Sequence, residues 1–250
     1  MFKLLFSVLL TLSVTVAAVA NSPIIAIYDF ETPQKTLTEL RKTWITHDGK
    51  HGKGLVIEDD QYAKSEIGAM PRVADNVVSF VAWVKMETFG NEGALQFEFI
   101  GSDPETARSM RTFDVESGSI LRYTSFYTGP VGEISARGFG FKSEPQAILN
   151  KWHHIVYTQY FGVHKIFVDG QIVAQKEGRS LPVGGETAEI YIVGKFKGKA
   201  IVDDVGVFGI GLSNADVHVI YNQSLFRFVS MLPVDLQGKA STTWAALKSD

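Results

Sequence analysis

The sequence predicts an all-β fold: a two-sheet antiparallel jelly-roll sandwich with a short helix near the C-terminus. Segments with a period of two, rich in β-branched and aromatic residues, recur along the chain. Turn-forming residues, such as Asp48-Gly49 and Gly194, separate these segments. Several segments are apolar on both faces, which is typical of a strand that lies between two packed layers.

The predicted strands are short apolar runs bounded by turn residues. In chain order they are Ile24–Phe30, Val77–Met86, Ala94–Ile100, Ile120–Tyr127, Trp152–Tyr160, Lys165–Val168, Gln171–Ala174, Glu189–Val193 and Ala200–Phe208. In the second run, Phe80 and Val84 face one way while Val81 and Trp83 face the other. Both faces therefore need cover, and we expect an extra layer of loops or short strands over that sheet.

The C-terminal half contains the clearest local signals. Lys165–Ala174 predicts a hairpin, because Asp169-Gly170 tolerates the positive φ angles of a type I′ turn. A helix is predicted over Ser213–Asn222, with Ser213 as its N-cap. The following Phe226–Leu232 reads as an apolar, strand-like run laid against the convex sheet or an oligomer partner.

Composition excludes several classes of function. The 250 residues carry a net charge of −3 and no local basic stripe, which argues against a nucleic-acid binder. With no cysteine, the chain can form neither disulfides nor thiolate metal sites, and it has no catalytic thiol. Stability must therefore come from packing, helped at most by a bound cation.

The N-terminus predicts a signal peptide. Lys3 precedes the apolar run Leu4–Val16, and Ala18-Val19-Ala20 has the small residues that a signal peptidase accepts. An uncleaved anchor is the alternative, since the apolar stretch is near the lower limit for spanning a bilayer. We expect cleavage before Asn21 and a secreted or periplasmic protein without a transmembrane segment. The absence of cysteine in an exported chain is more typical of bacteria than of animal ectodomains.

A set of landmarks resembles one family when read in order. They are Ile27–Glu31, His51–Val56, Val78–Lys85, Trp152–Val156, Lys165–Gly170, Ile192–Gly194, Ile201–Val205 and Leu212–Asn222. Together they are similar to the laminin G/pentraxin-like domain of the concanavalin A-like lectin/glucanase superfamily. The resemblance implies a jelly roll that usually serves as a binding module. We expect a signal peptide (1–20), a laminin G-like domain (21–225) and a C-terminal extension (226–250) that packs on the domain or on a partner.

The resemblance also implies a structural calcium ion. Asp203-Asp204 matches the family's acidic pair at the start of its last long strand, and Asp29 or Glu31 matches the acidic end of its first strand. These strands are neighbours in the family fold, so their carboxylates can converge on a hard cation. The predicted metal ligands are Asp29, Asp203 and Asp204; alternatively, Asp204 caps a turn or pairs with a lysine such as Lys199.

Ligand binding by such a fold needs exposed aromatic rings that stack on the apolar face of a sugar, with polar side chains beside them. The family-unlike segment between Met86 and Asn150 is rich in aromatic residues. Burial in the core is the alternative for each ring. The predicted ligand-binding residues are Trp44, Tyr123, Tyr127, Arg137 and Phe139.

Catalytic signatures are missing from the sequence. A retaining glycosidase of this superfamily takes paired carboxylates from one strand in a Glu-x-Asp-x-Glu pattern, whereas Glu98 has no such partner. No Gly-x-Ser-x-Gly elbow is present. His153 and His154 are adjacent on a strand and point to opposite faces, so they do not chelate one metal ion. By resemblance, His154 is a packing residue.

The sequence therefore predicts an exported, non-catalytic recognition module for an extracellular glycan or surface protein. Such a module would serve in adhesion, in a matrix or in assembly. The alternative is a glycoside hydrolase or polysaccharide lyase with unconventional catalytic residues on the concave face. A structural protein that oligomerises through its C-terminal extension is a third hypothesis.

Overall fold

The structure is a computed structural model, and it describes part of the chain. The described residues are 24–31, 39–58, 61–73, 77–88, 93–102, 109–116, 120–127, 134–140, 149–177, 183–194 and 198–232. The predicted signal peptide (1–20) and residues 233–250 of the predicted extension lie outside these ranges.

Each of the nine segments listed as predicted strands contains a strand, and further strands join them. The strands are β1 (Ile24–Tyr28), β2 (Glu39–Arg41), β3 (Trp44–Thr46), β4 (Gly54–Glu58), β5 (Tyr62–Val73), β6 (Val78–Thr88), β7 (Gly93–Ser102), β8 (Ser109–Glu116), β9 (Ile120–Tyr127), β10 (Ile134–Gly140), β11 (Trp152–Tyr160), β12 (Val163–Val168), β13 (Gln171–Glu177), β14 (Val183–Gly194) and β15 (Lys199–Phe208). The helices are α1 (Asn214–Gln223) and α2 (Leu225–Met231).

Within the described ranges these strands form two sheets. The eight-stranded sheet has the order β13-β12-β11-β6-β15-β4-β3, with β1 also paired to β15. The seven-stranded sheet has the order β10-β9-β8-β7-β14-β5-β2. All of the strand pairs named for the two sheets are antiparallel. This arrangement confirms the predicted two-sheet antiparallel sandwich.

The main core lies between the two sheets. Phe80 of β6 and Phe97 of β7 meet there with ring centroids 4.6 Å apart, and both side chains are buried. Val84 of β6 and Ile192 of β14 belong to the same buried cluster. The predicted alternation along β6 is therefore confirmed, since these residues of the strand face the opposite sheet.

The outer face of the eight-stranded sheet carries a second core beneath the helices. Val81, Val156, Phe167 and Phe208 contribute to it from the strands. The helices contribute Val217, Ile220, Leu225, Phe228 and Val229. Helices, and not the expected loops or short strands, thus cover this part of the sheet. Strand β6 is apolar on both sides because Phe80 and Val84 pack in the main core while Val81 packs in the second core.

The strand-like reading of Phe226–Leu232 was wrong, because most of this segment is helix α2. Its buried residues Leu225, Phe228 and Val229 are spaced by three and four positions, which is the period of one helix face. The expected packing against the sheet is present through this face.

No helix in the described part of the chain combines the length and apolar character needed to cross a bilayer.

The predicted hairpin and N-cap are both confirmed. Asp169 and Gly170 have φ angles of 48° and 79°, which suit a type I′ turn between β12 and β13. At the start of α1, the Ser213 hydroxyl accepts a hydrogen bond from the Asp216 amide, and the Asp216 carboxylate accepts one from the Ser213 amide. This is a complete capping box.

We predict that Ser213→Ala lowers the free energy of unfolding by about 1 kcal/mol, because the variant loses an N-cap acceptor. Urea denaturation measures the change. Ser230→Ala is the matched control: its hydroxyl donates to the Arg227 carbonyl within α2 and caps no helix start. Equal stability changes in the two variants would contradict the role of the cap.

Candidate functional site

The acidic pair of β15 is buried beside a histidine. Asp203 and Asp204 are 0% and 3% exposed. Neighbouring residues of a regular strand point to opposite faces, but the pairing of β15 with β6 is interrupted by a bulge between Asp203 and Gly206. Asp204 adopts a left-handed φ of 46° there. As a result, ligand atoms of His51, Asp203 and Asp204 all lie within 4.8 Å of one another.

Hydrogen bonds fix this cluster. The Asp203 carboxylate accepts the backbone N–H of His51 at 2.8 Å and that of Asp204 at 2.7 Å. The His51 Nδ1 atom lies 2.8 Å from Asp204 Oδ2. His51 was missed as a site residue by the sequence reasoning. The available signal was its place in the His51–Val56 landmark, which leads into β4, a neighbour of β15.

Two further carboxylates approach Asp204 from the end of β1. Tyr28 pairs with Val205, so Asp29 follows β1 directly beside the acidic pair. Asp29 Oδ1 accepts the backbone N–H of Glu31, and Glu31 Oε1 accepts that of Lys53 at 2.6 Å. The expected neighbourhood of the first and last strands is therefore present, and it places negative charge near Asp204.

Burial controls the protonation of the cluster. It raises the pKa of Asp203 to about 7 and the pKa of Asp204 to about 7, and the charges of Asp29 and Glu31 add to the effect on Asp204. Desolvation also lowers the pKa of His51, which weakens the compensating positive charge. Asp203, Asp204 and the His51 ring form one compact donor set, and Asp29 and Glu31 lie near Asp204 but outside that 4.8 Å cluster. Carboxylate oxygens grouped in this way fit a hard cation such as Ca²⁺.

An aromatic stack adjoins the cluster on the outer face of the sheet. The Trp83 ring lies 5.9 Å from His51, 5.1 Å from His154 and 5.6 Å from Tyr221 of α1. His154 is 1% exposed, and burial lowers its pKa to about 3. His154 thus packs in the interior, as the resemblance implied. His153 Nδ1 bonds Asp169 Oδ2 at 2.7 Å, and the backbone N–H of His154 donates to Asp169 Oδ1 at 2.8 Å, so one carboxylate holds both residues, one through its ring and the other through its backbone.

The structure divides the predicted ligand-binding residues between the two sheets. Trp44 lies on β3, an edge strand of the eight-stranded sheet, and is 43% exposed. The others lie on β9 and β10 at an edge of the seven-stranded sheet: Tyr123, Tyr127, Arg137 and Phe139. Tyr123 pairs with Ala136, and Phe139 pairs with Leu121, on either side of a bulge that contains Arg137. Strand β10 contacts β13, the edge opposite β3, so Trp44 stands apart from this group.

A family model matches most of the described fold. The Laminin G 3 model, described as concanavalin A-like lectin/glucanases superfamily, matches residues 58–218. That span contains strands of both sheets, the acidic pair and the start of α1. A search of curated proteins finds no match.

Solved structures with a similar fold include binding domains of botulinum neurotoxins. The binding domain of botulinum neurotoxin DC, in complex with rat synaptotagmin II, has a TM-score of 0.59 and 14% identity, and the match covers 82% of this chain and 52% of that one. The binding domain of Paraclostridial Mosquitocidal Protein 1 has a TM-score of 0.56 and 12% sequence identity, and the match covers 81% of this chain and 52% of that one.

A third structure concerns botulinum neurotoxin type C, whose cell entry depends on two ganglioside molecules. It gives a TM-score of 0.55 and 14% identity, covering 75% of this chain and 46% of that one. The present chain therefore spans about half the length of the solved chains it matches. At sequence identities of 12–14%, the structural likeness establishes the fold alone.

Proposed function

The chain belongs to the Laminin G 3 family of the concanavalin A-like lectin/glucanases superfamily, and from that premise we propose that it is a non-catalytic module that recognises an extracellular glycan or surface protein. The apolar run and small residues at its N-terminus support export to a secreted or periplasmic location. One similar solved structure is a toxin binding domain in complex with rat synaptotagmin II, and another concerns a toxin whose cell entry depends on interaction with two ganglioside molecules, which supports either kind of partner.

One contrast in exposure carries the proposal. The buried acidic pair, Asp203 and Asp204, is 0% and 3% exposed, whereas Trp44 is 43% exposed at the edge of the same sheet. Glycoside hydrolysis needs two carboxyl groups that flank the scissile bond of a bound sugar. Two carboxylates that are buried to this extent cannot flank the scissile bond of a bound polysaccharide. The exposed Trp44 indole, in contrast, can stack on a sugar ring or enter a protein interface.

We also propose that a calcium ion stabilises the fold through Asp29, Asp203 and Asp204. The support is the oxygen-rich set that two paired strands bring together, in a setting where burial makes an unneutralised carboxylate costly. Bound Ca²⁺ supplies charge neutralisation there. The chain's own contribution is positioning, since the bulge at Asp204 and the His51 amide orient the carboxylates before any cation enters.

A glycan array tests the proposed function. The purified chain is applied with Ca²⁺ and with a chelator, and every glycan that binds is then analysed for released fragments. We expect binding without fragments. Fragments from a bound glycan would contradict a non-catalytic role, and an array without any binding would leave only the protein-partner branch of the proposal.

A further inference from the structure

A row of side chains crosses the eight-stranded sheet at the end away from the helices. Trp44 of β3 pairs with Val56 of β4, Val56 pairs with Ile201 of β15, Ile201 pairs with Lys85 of β6, and Lys85 pairs with Trp152 of β11. Directly paired residues of antiparallel strands lie on the same face of a sheet. The row is therefore continuous across five strands, with a tryptophan at each end.

The row lies on the outer face. The residues that alternate with it, including Ile45, Leu55, Val84 and Val202, pack in or against the core between the sheets. Helices α1 and α2 cover Val81 and Val156 on the same outer face, four residues from Lys85 and Trp152 along β6 and β11. The second core does not include the residues of the row. Within the row, Trp44 is 43% exposed, whereas Val56 and Ile201 are each 3% exposed.

The spacing of the two indoles suits an extended ligand. Four steps between neighbouring strands separate Trp44 from Trp152, or roughly 19 Å at the usual inter-strand distance. Val56 and Ile201 form a buried apolar floor between them. Lys199 Nζ lies 5.8 Å from the Trp44 ring centroid, and Lys85 Nζ lies 5.7 Å from that of Trp152.

The charges along the row favour an uncharged ligand. Lys85 is paired with Asp48 at 2.7 Å, and Lys199 is paired with Glu87 at 3.0 Å and Glu58 at 3.5 Å. Two ammonium groups thus face three carboxylates, which leaves no excess positive charge for a sulfated or carboxylated chain. Paired charges offer donors and acceptors together, as the hydroxyl groups of a neutral sugar require.

We propose that this row, from Trp44 to Trp152, is a platform for a neutral oligosaccharide whose sugar rings stack on the two indoles. The proposal rests on the proposed recognition function, in the form in which the partner is a glycan, and it places the binding of that glycan on the outer face of the eight-stranded sheet. It differs from the site predicted on β9 and β10, which lies in the other sheet.

Calorimetric titration with neutral hexaoses of glucose, xylose and mannose tests this assignment, together with the matching trisaccharides and a galacturonate hexamer as the charged probe. We expect at least one neutral hexaose to bind more tightly than its trisaccharide, because only the longer chain spans both indoles. Trp44→Ala and Trp152→Ala should each weaken hexaose binding about tenfold or more, as for buried aromatic anchors. Each should also abolish the preference for the longer chain.

Matched variants keep the test independent of folding. Phe161→Ala removes an aromatic side chain that is 61% exposed in the turn between β11 and β12, outside the row, and should leave binding unchanged. Trp44→Phe and Trp152→Phe retain a ring and should retain part of the affinity, with thermal melting as the check on folding.

Each remaining outcome overturns the assignment in a distinguishable way. If the wild-type chain binds a hexaose and both tryptophan variants bind it equally well, the row is not the site, while the recognition function stands. Preference for the galacturonate hexamer contradicts the neutral ligand. If no saccharide binds, the platform is rejected and the recognition function keeps only its protein branch.

Discussion

Asp204→Asn is expected to raise the free energy of unfolding by about 3 kcal/mol at pH 8 in a chelator, and this advantage over wild type should shrink to nearly zero in Ca²⁺ at a hundred times its dissociation constant. Burial holds the pKa of Asp204 at about 7, so the folded state binds that proton more tightly than the unfolded chain does. The resulting stability is present at low pH and is lost as the pH rises through about 7. Asparagine is uncharged, so the variant avoids this loss.

The geometry favours asparagine at this position. Its side-chain oxygen can still accept from His51, and asparagine tolerates the left-handed φ of 46° that residue 204 adopts. A cation that binds only the folded state stabilises it by about 2.7 kcal/mol at a hundred times its dissociation constant. The variant lacks one carboxylate of the proposed Ca²⁺ site, so its gain from Ca²⁺ should be much smaller.

Urea denaturation at pH 8, in chelator and in millimolar Ca²⁺, measures both parts of this prediction. The control is Asp216→Asn, which alters a half-buried aspartate of the α1 capping box that is not a proposed ligand and should respond equally in both buffers. A calcium response of Asp204→Asn as large as that of wild type would contradict the proposed ligand. Greater stability of wild type in chelator at pH 8 would contradict the cost of burying the carboxylate.

The second large effect is expected at acidic pH from His154. Burial, more than any neighbouring charge, lowers its pKa to about 3; Asp169 opposes this shift, whereas His51 and Lys50 add to it. The unfolded chain takes up the proton near pH 6.5 and the folded chain does not. The stability contribution of His154 is therefore present above pH 6.5 and is lost as the pH falls towards 3, amounting to about 2 kcal/mol at pH 5.

His154→Phe isolates this term. Neither ring nitrogen of His154 has a hydrogen-bond partner among the described residues, so the substitution breaks no hydrogen bond within that part of the structure. Between pH 7.5 and pH 5, wild type should lose about 2 kcal/mol more than the variant. Asp203 and Asp204 titrate in the same window, but they do so in both proteins. His154→Gln serves as a second neutral variant, and parallel pH profiles of all three proteins would contradict the assignment.

The sandwich could be predicted because its strands carry their own signals. Val78–Lys85 alternates between two apolar faces, and Asp169-Gly170 specifies a tight turn regardless of its surroundings. The capping box of α1 is likewise a local pattern. Helix α2 was misread because Phe226–Leu232 is apolar on several sides, and its buried face is defined by tertiary packing, such as the contact of Phe228 with Phe208.

The candidate sites were less predictable because they depend on register. His51 meets Asp203 and Asp204 through a bulge that no local sequence signal in β15 specifies. The pairing that aligns Trp44 with Trp152 involves strands from distant parts of the chain. Trp152 is half-buried at the end of the outer row, a position that follows from its pairing with Lys85. Sequence supplies residue types, whereas pairing decides which of them lie side by side.

The central claim is that the chain binds its ligand without cleaving it, and a single incubation tests this claim. A polysaccharide that the chain retains is incubated with an equimolar amount of protein, and its bound fraction and chain length are followed together by size-exclusion chromatography with light scattering. The account predicts a constant bound fraction and an unchanged chain length throughout. Progressive shortening of the bound polysaccharide would contradict it and identify the chain as an enzyme.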